Sequence, residues 1–71
     1  MERWEQYEVW VMPDGENPRW EMVAAFEDFE VASAVARKRQ RKVRLIHAVY
    51  EGNKLIEKHV LADLGQVREA S

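Results

Sequence analysis

A single stretch with helical periodicity sits among four runs that alternate like strands, and those runs carry apolar residues on both faces. One helix therefore has to serve a whole sheet. Residues 4–12, Trp-Glu-Gln-Tyr-Glu-Val-Trp-Val-Met, place Tyr7, Val9 and Val11 on one face and Trp4, Glu8, Trp10 and Met12 on the other. Residues 20–26 put Trp20, Met22, Ala24 and Phe26 on one side and Glu21, Val23 and Ala25 on the other, with Glu27 continuing the second row. The intervening Pro13-Asp14-Gly15-Glu16-Asn17-Pro18 is dense in turn formers, so the two runs are expected to form an antiparallel hairpin.

Asp28 is positioned to cap a helix, because its carboxylate can accept from a free backbone N–H of the first turn. The spacing predicts that helix over residues 29–42, with Phe29, Val31, Ala32, Val35 and Ala36 on one arc. Arg37, Lys38 and Arg41 fall on the opposite arc. Residues 43–50 read as a third strand, Gly52-Asn53 as a turn between paired strands, and residues 54–61 as the fourth strand. A two-residue turn there sets Leu45 and Val49 on the face of Ile56 and Val60, and Ile46, Ala48 and Tyr50 on the face of Leu55 and Leu61. It also places His47 opposite Lys58 and turns it away from His59. Residues 61–65 suggest one helical turn closing at Gly65, and residues 66–71 a flexible C-terminal tail. The expected fold is α+β: one ββαββ domain over residues 1–65, a four-stranded antiparallel sheet with one α-helix packed on one face.

Such a sheet has more apolar surface than its helix can hide. A helix about 10 Å wide covers about two strands spaced 4.8 Å apart. An antiparallel sheet normally keeps one face polar, and this one does not. At 71 residues the core is also close to the smallest that folds unaided, and small domains then recruit disulfides, metal or a second subunit. The chain has no Cys, which removes disulfides and thiolate zinc sites, and two His with scattered carboxylates make no convincing metal site. Oligomerisation is the remaining device. A homodimer through apolar sheet surface is expected, with Trp4, Trp10, Met12, Trp20 and Met22 as its contact residues, Trp being a favoured interface residue.

Charge supplies the second clue. Six of the eleven Lys and Arg lie within residues 37–44: Arg37, Lys38, Arg39, Arg41, Lys42 and Arg44. The other five face all thirteen Asp and Glu, so a formal net charge of −2 conceals a basic knot in an acidic body. Glu27, Asp28 and Glu30 at the helix start and cations at its end complement the helix dipole, which accounts for part of the knot. The outward Arg37, Lys38 and Arg41 remain as the expected contact with an acidic protein partner. The alternative is a nucleic-acid-binding module using the same helix end, with cations on phosphates. Against it, the first thirty residues hold nine acidic side chains and two basic ones, and the Trp residues that could stack bases neighbour Glu5, Glu8 and Glu21.

No catalytic residue is assigned. The two Ser are Ser33 inside the helix and Ser71, no glycine pattern for phosphate follows Gly15, and no nucleophile, base and oxyanion donor come together. No cofactor or metal is expected. No window approaches the roughly 20 apolar residues of a membrane span, and the N-terminus lacks the basic start and apolar stretch of a secretory signal, so a cytoplasmic location is expected.

The segment from Trp20 through Phe26 to Ala32, followed by a basic helix end and a strand, resembles a pattern common in small bacterial and phage proteins. Phage inhibitors of host RNA polymerase and some anti-CRISPR proteins have a similar element order over a span like residues 7–60. That resemblance implies a further alternative, a phage-type inhibitor of a host protein, and assigns no residue a role.

Overall fold

The computed structural model describes residues 2–13, 19–39 and 42–64. The elements run β1 (Arg3–Met12), β2 (Glu21–Phe26), α1 (Phe29–Lys38), β3 (Lys42–Glu51) and β4 (Lys54–Leu64). They form one antiparallel four-stranded sheet in the order β2-β1-β3-β4 with a single helix, the expected ββαββ architecture. The two strands with the most β-branched and aromatic residues, β1 and β3, are central. The edge strands β2 and β4 are mostly exposed.

Local chemistry explains the element ends. Asp28 caps α1, its Oδ1 accepting from the Glu30 N–H at 2.7 Å. The helix stops at Lys38 instead of continuing to residue 42, because Arg39 is already extended (φ −84°, ψ 144°) and delivers the chain to β3. Gly52 turns the second hairpin at φ 62°, the left-handed region that a side chain disfavours. At the far end β4 runs on to Leu64, where a helical turn is expected from sequence. Leu64 pairs with Val43 and Asp63 with Arg44, and those ladder bonds outweigh a lone turn.

The helix packs on the face of Tyr7, Val9 and Val11, mainly over β1, β2 and β3. Ala32 and Ala36 are fully buried against Val9, Val11, Val43 and Leu45. Phe29 and Val31, expected on the buried arc, are largely exposed at the short helix's first turn, Phe29 meeting Tyr7 edge to face at 5.6 Å.

Three register shifts overturn the face assignments that simple alternation predicts. A bulge between Val9 and Trp10 in the β1–β2 ladder sets Val23 aside, so Ala24 lies opposite Val9 while Met22 lies opposite Trp10. Met22 thus leaves the row of Ala24 and Phe26 and joins Trp10. In the β3–β4 ladder, shifts at Ile56 and Leu61 put Val60 opposite Ile46 and His59 opposite His47. The expected separation of the two His is therefore wrong, and so is the expected grouping of Val60 with Leu45. Each extra residue moves the following side chains to the other face.

Candidate interaction surface

On the face away from the helix, the centre of the sheet is a carboxylate. Glu8 is 2% exposed, between Ala25 of β2 and Ile46 of β3. A buried charge is tolerated only when its lone pairs are taken up, and here three side chains donate to it. Gln6 and Trp10 flank it at the two-residue repeat of β1: Gln6 Nε2 donates to Oε2 and Trp10 Nε1 to Oε1, each at 2.8 Å. From β3 the Tyr50 hydroxyl donates to Oε2 at 2.5 Å. Burial pushes the Glu8 carboxyl pKa up, but the bonds from Tyr50, Gln6 and Trp10, with the positive charge of Lys58, outweigh it and hold the group below its ordinary 4.5. The same bond, with burial and the Glu8 charge behind it, pushes the Tyr50 hydroxyl up to about 12.

This carboxylate orients an aromatic layer. Trp4 stacks on Tyr50 with centroids 4.4 Å apart and an interplanar angle of 12°, and its Nε1 donates to the Gly52 carbonyl at 2.9 Å. Lys58 lies 5.8 Å over the Trp10 ring. Arg44 lies 4.0 Å over the Trp20 ring while its Nε donates to Asp63 Oδ1 at 2.7 Å. Beneath this layer Ile46 and Ala48 are buried without help from the helix. The expected contact residues Trp4, Trp10, Met12, Trp20 and Met22 all belong to this open side, Met22 by the bulge and Trp20 through Arg44. Trp4 (43%), Met22 (47%), Leu55 (44%) and Val60 (49%) remain strongly exposed there.

The basic run, in contrast, is dispersed. Arg37 and Lys38 are exposed in the last turn of α1, on the opposite side of the sheet, and Arg37 borders an open depression with Phe29, Glu30, Ser33 and Ala34. Arg39 is the cap residue, while Lys42 at the start of β3 and Arg44 belong to the open face, opposite Met12 and Trp10. The expected contact residue Arg41 lies outside the described residues, as do residues 65–71. Because the helix is shorter than expected, its dipole accounts for two cations of the run, Arg37 and Lys38.

On the helix-covered face, His47 stacks on Tyr7 at 4.9 Å and on His59 at 6.1 Å, and its Nε2 contacts Glu5. His59 Nε2 stands 3.4 Å from Glu57 Oε1. Among the described residues no group of three or more His, Asp or Glu is arranged to hold a metal ion, and no helix is long and apolar enough to cross a membrane.

Sequence reasoning found the aromatic residues and missed what fixes them. Glu8 reads as a solvated carboxylate among apolar neighbours, and its partner Tyr50 lies 42 residues away. The signal available was a lone Glu between two Trp on one strand face. No family model, no curated protein and no solved structure matches the chain.

Proposed function

We propose that the chain is a small non-catalytic protein-interaction domain. It forms a homodimer through its open sheet face, and its basic helix end, Arg37 and Lys38 with Arg41 of the same run, contacts an acidic partner. The observation that carries this reading is the open face itself: Trp4, Met22, Leu55 and Val60 are exposed on one side of the sheet, and no element among the described residues covers them. Exposed large apolar side chains gathered on one sheet face mark interaction sites more often than ones scattered over the whole surface.

Size favours the open face over the outer face of α1 as the self-contact. Four strands at about 4.8 Å and up to about ten residues at about 3.4 Å make a face of roughly 600 Å², so two copies in full overlap would bury about 1,200 Å², the lower end of stable interfaces. The outer face of α1, ten residues long, offers about 15 × 10 Å, which falls well below that range. The helix side is therefore left for a second, charge-steered partner. Dispersal of the basic run over the helix, its cap and the opposite face of the sheet weighs against the nucleic-acid alternative, which needs its cations on one surface.

Sedimentation velocity from about 1 to 500 µM tests the dimer, with a micromolar dissociation constant expected for an interface near 1,200 Å². A monomer throughout that range refutes it. The double variant Arg37→Glu/Lys38→Glu is expected to leave self-association unchanged; its loss would put the helix end in the self-interface.

A further inference from the structure

Resting on the homodimer just proposed, we infer that the two copies meet face to face, open sheet against open sheet, with the helices outside. The competing arrangement joins edge strands into one continuous sheet. Both edges resist that. β4 carries two register shifts, at Ile56 and Leu61, with Lys54 and Lys58 along it, and β2 is six residues long with its own bulge at Val23. Bulges, lysines and short length are the devices by which edge strands avoid pairing with another chain.

The open face has the opposite character. Its indole, amide and phenol side chains donate within the chain: Trp4 Nε1 to Gly52, and Gln6, Trp10 and Tyr50 to Glu8; Arg44 Nε donates to Asp63. Drying this face leaves the two indoles and the phenol paired, and a stranded donor is what most often makes a polar surface costly to bury. What it offers outward includes the side chains of Trp4, Met22, Leu55 and Val60.

Charge selects the occupant. In the strand ladders the open face carries Glu8 and Asp63 against Lys42, Arg44 and Lys58, a formal sum of 3 − 2 = +1. Of these, Arg44 is paired with Asp63, and Lys42 stands at a corner, opposite the last residue of β1. Two identical faces so nearly balanced meet with little like-charge repulsion, whereas a highly charged partner finds little on the face to attract it. A two-fold axis requires a self-complementary patch, and a face carrying both signs of charge is compatible with that condition. Lys58 reaches inward from β4 so that its ammonium lies over the Trp10 ring, where the Glu8 carboxylate offsets part of its charge.

The three tryptophans all lie on this side, so wild-type fluorescence reports on it directly. Acrylamide quenching is measured across the dilution series used for sedimentation. Face-to-face assembly predicts that quenching falls at least twofold in step with dimer formation. A dimer whose quenching equals the monomer's overturns the face-to-face arrangement while leaving the dimer in place. A monomer at every concentration overturns the dimer itself. Two exposed positions give an independent check: Leu55→Asp on the open face is expected to raise the dissociation constant at least tenfold, and Val31→Asp on the helix less than twofold. The reverse order would place the contact on the helix side and overturn the inference.

Discussion

Replacing Glu8 by Gln removes one charge and no volume, and the structure says what each of its two oxygens then loses. Oε2 serves Tyr50 and Gln6, while Oε1 serves Trp10 alone. The new amide's oxygen will take the position with two donors, which turns its NH₂ toward the Trp10 indole N–H. Two charge-assisted bonds become neutral ones, each about 0.5–1 kcal/mol weaker, and the third becomes a donor facing a donor, at about 1–3 kcal/mol. Relief from burying a charge offsets part of this, leaving a net loss of about 2 kcal/mol. With a urea m-value of about 1 kcal/mol/M for so small a domain, the midpoint should fall by about 2 M, at a concentration low enough to keep the chain monomeric. The pH dependence separates this mechanism from a packing defect. Glu8 has a folded pKa below its ordinary 4.5, so its contribution is present above that value and is lost as pH falls through the lower folded pKa. The difference between wild type and Glu8→Gln should therefore be full at about pH 7 and shrink below pH 4.5. A midpoint shift under about 0.5 M at neutral pH, or one that persists unchanged into acid, would refute the reasoning.

Two further outcomes follow from the same residues and from the helix seat. The Tyr50 hydroxyl, held un-ionised chiefly by its bond to Glu8, should ionise near pH 12 in an ultraviolet titration, and Glu8→Gln should bring it down; an unchanged midpoint in the variant would sink the assignment. Because that pKa is raised, the stability it contributes is present below the unfolded value of 10 and is lost as pH rises toward 12. Ala36 is fully buried where α1 meets Val9 and Val43, so Ala36→Leu should cost about 1–3 kcal/mol by overpacking, read as a lower urea midpoint. A neutral result there would mean that the helix sits less closely on the sheet than its Ala stripe implies.

How far the candidate site could be read in advance divides residue by residue. Trp4 and Trp10 were placed correctly because β1 has no bulge against β3, and over that ladder alternation holds without interruption from Arg3 to Met12. Met22 reaches the same face for a reason alternation cannot supply, since the shift at Val23 exists only in the pairing of β1 with β2. His47 and His59 illustrate the reverse error. A regular two-residue hairpin separates them, and the extra residue at Ile56 brings their rings to 6.1 Å. The acidic start of α1 and its Asp28 cap were legible because capping acts within three residues, whereas its end was not. Arg39, Gln40 and Arg41 are all good helix formers, and the helix ends there because the chain has to enter β3.

The sequence by itself determined the order of elements, the Gly52 turn, the Asp28 cap and the surplus of apolar surface over what one helix covers. These depend on neighbours within one or two turns, or on bulk composition, and local chemistry decides both. Tertiary structure alone decided which face the helix takes, where the bulges fall, and that Glu8 is the buried centre of the other face. Those outcomes depend on strands meeting across some forty residues of chain, where a one-residue slip exchanges inside for outside and no local pattern records it.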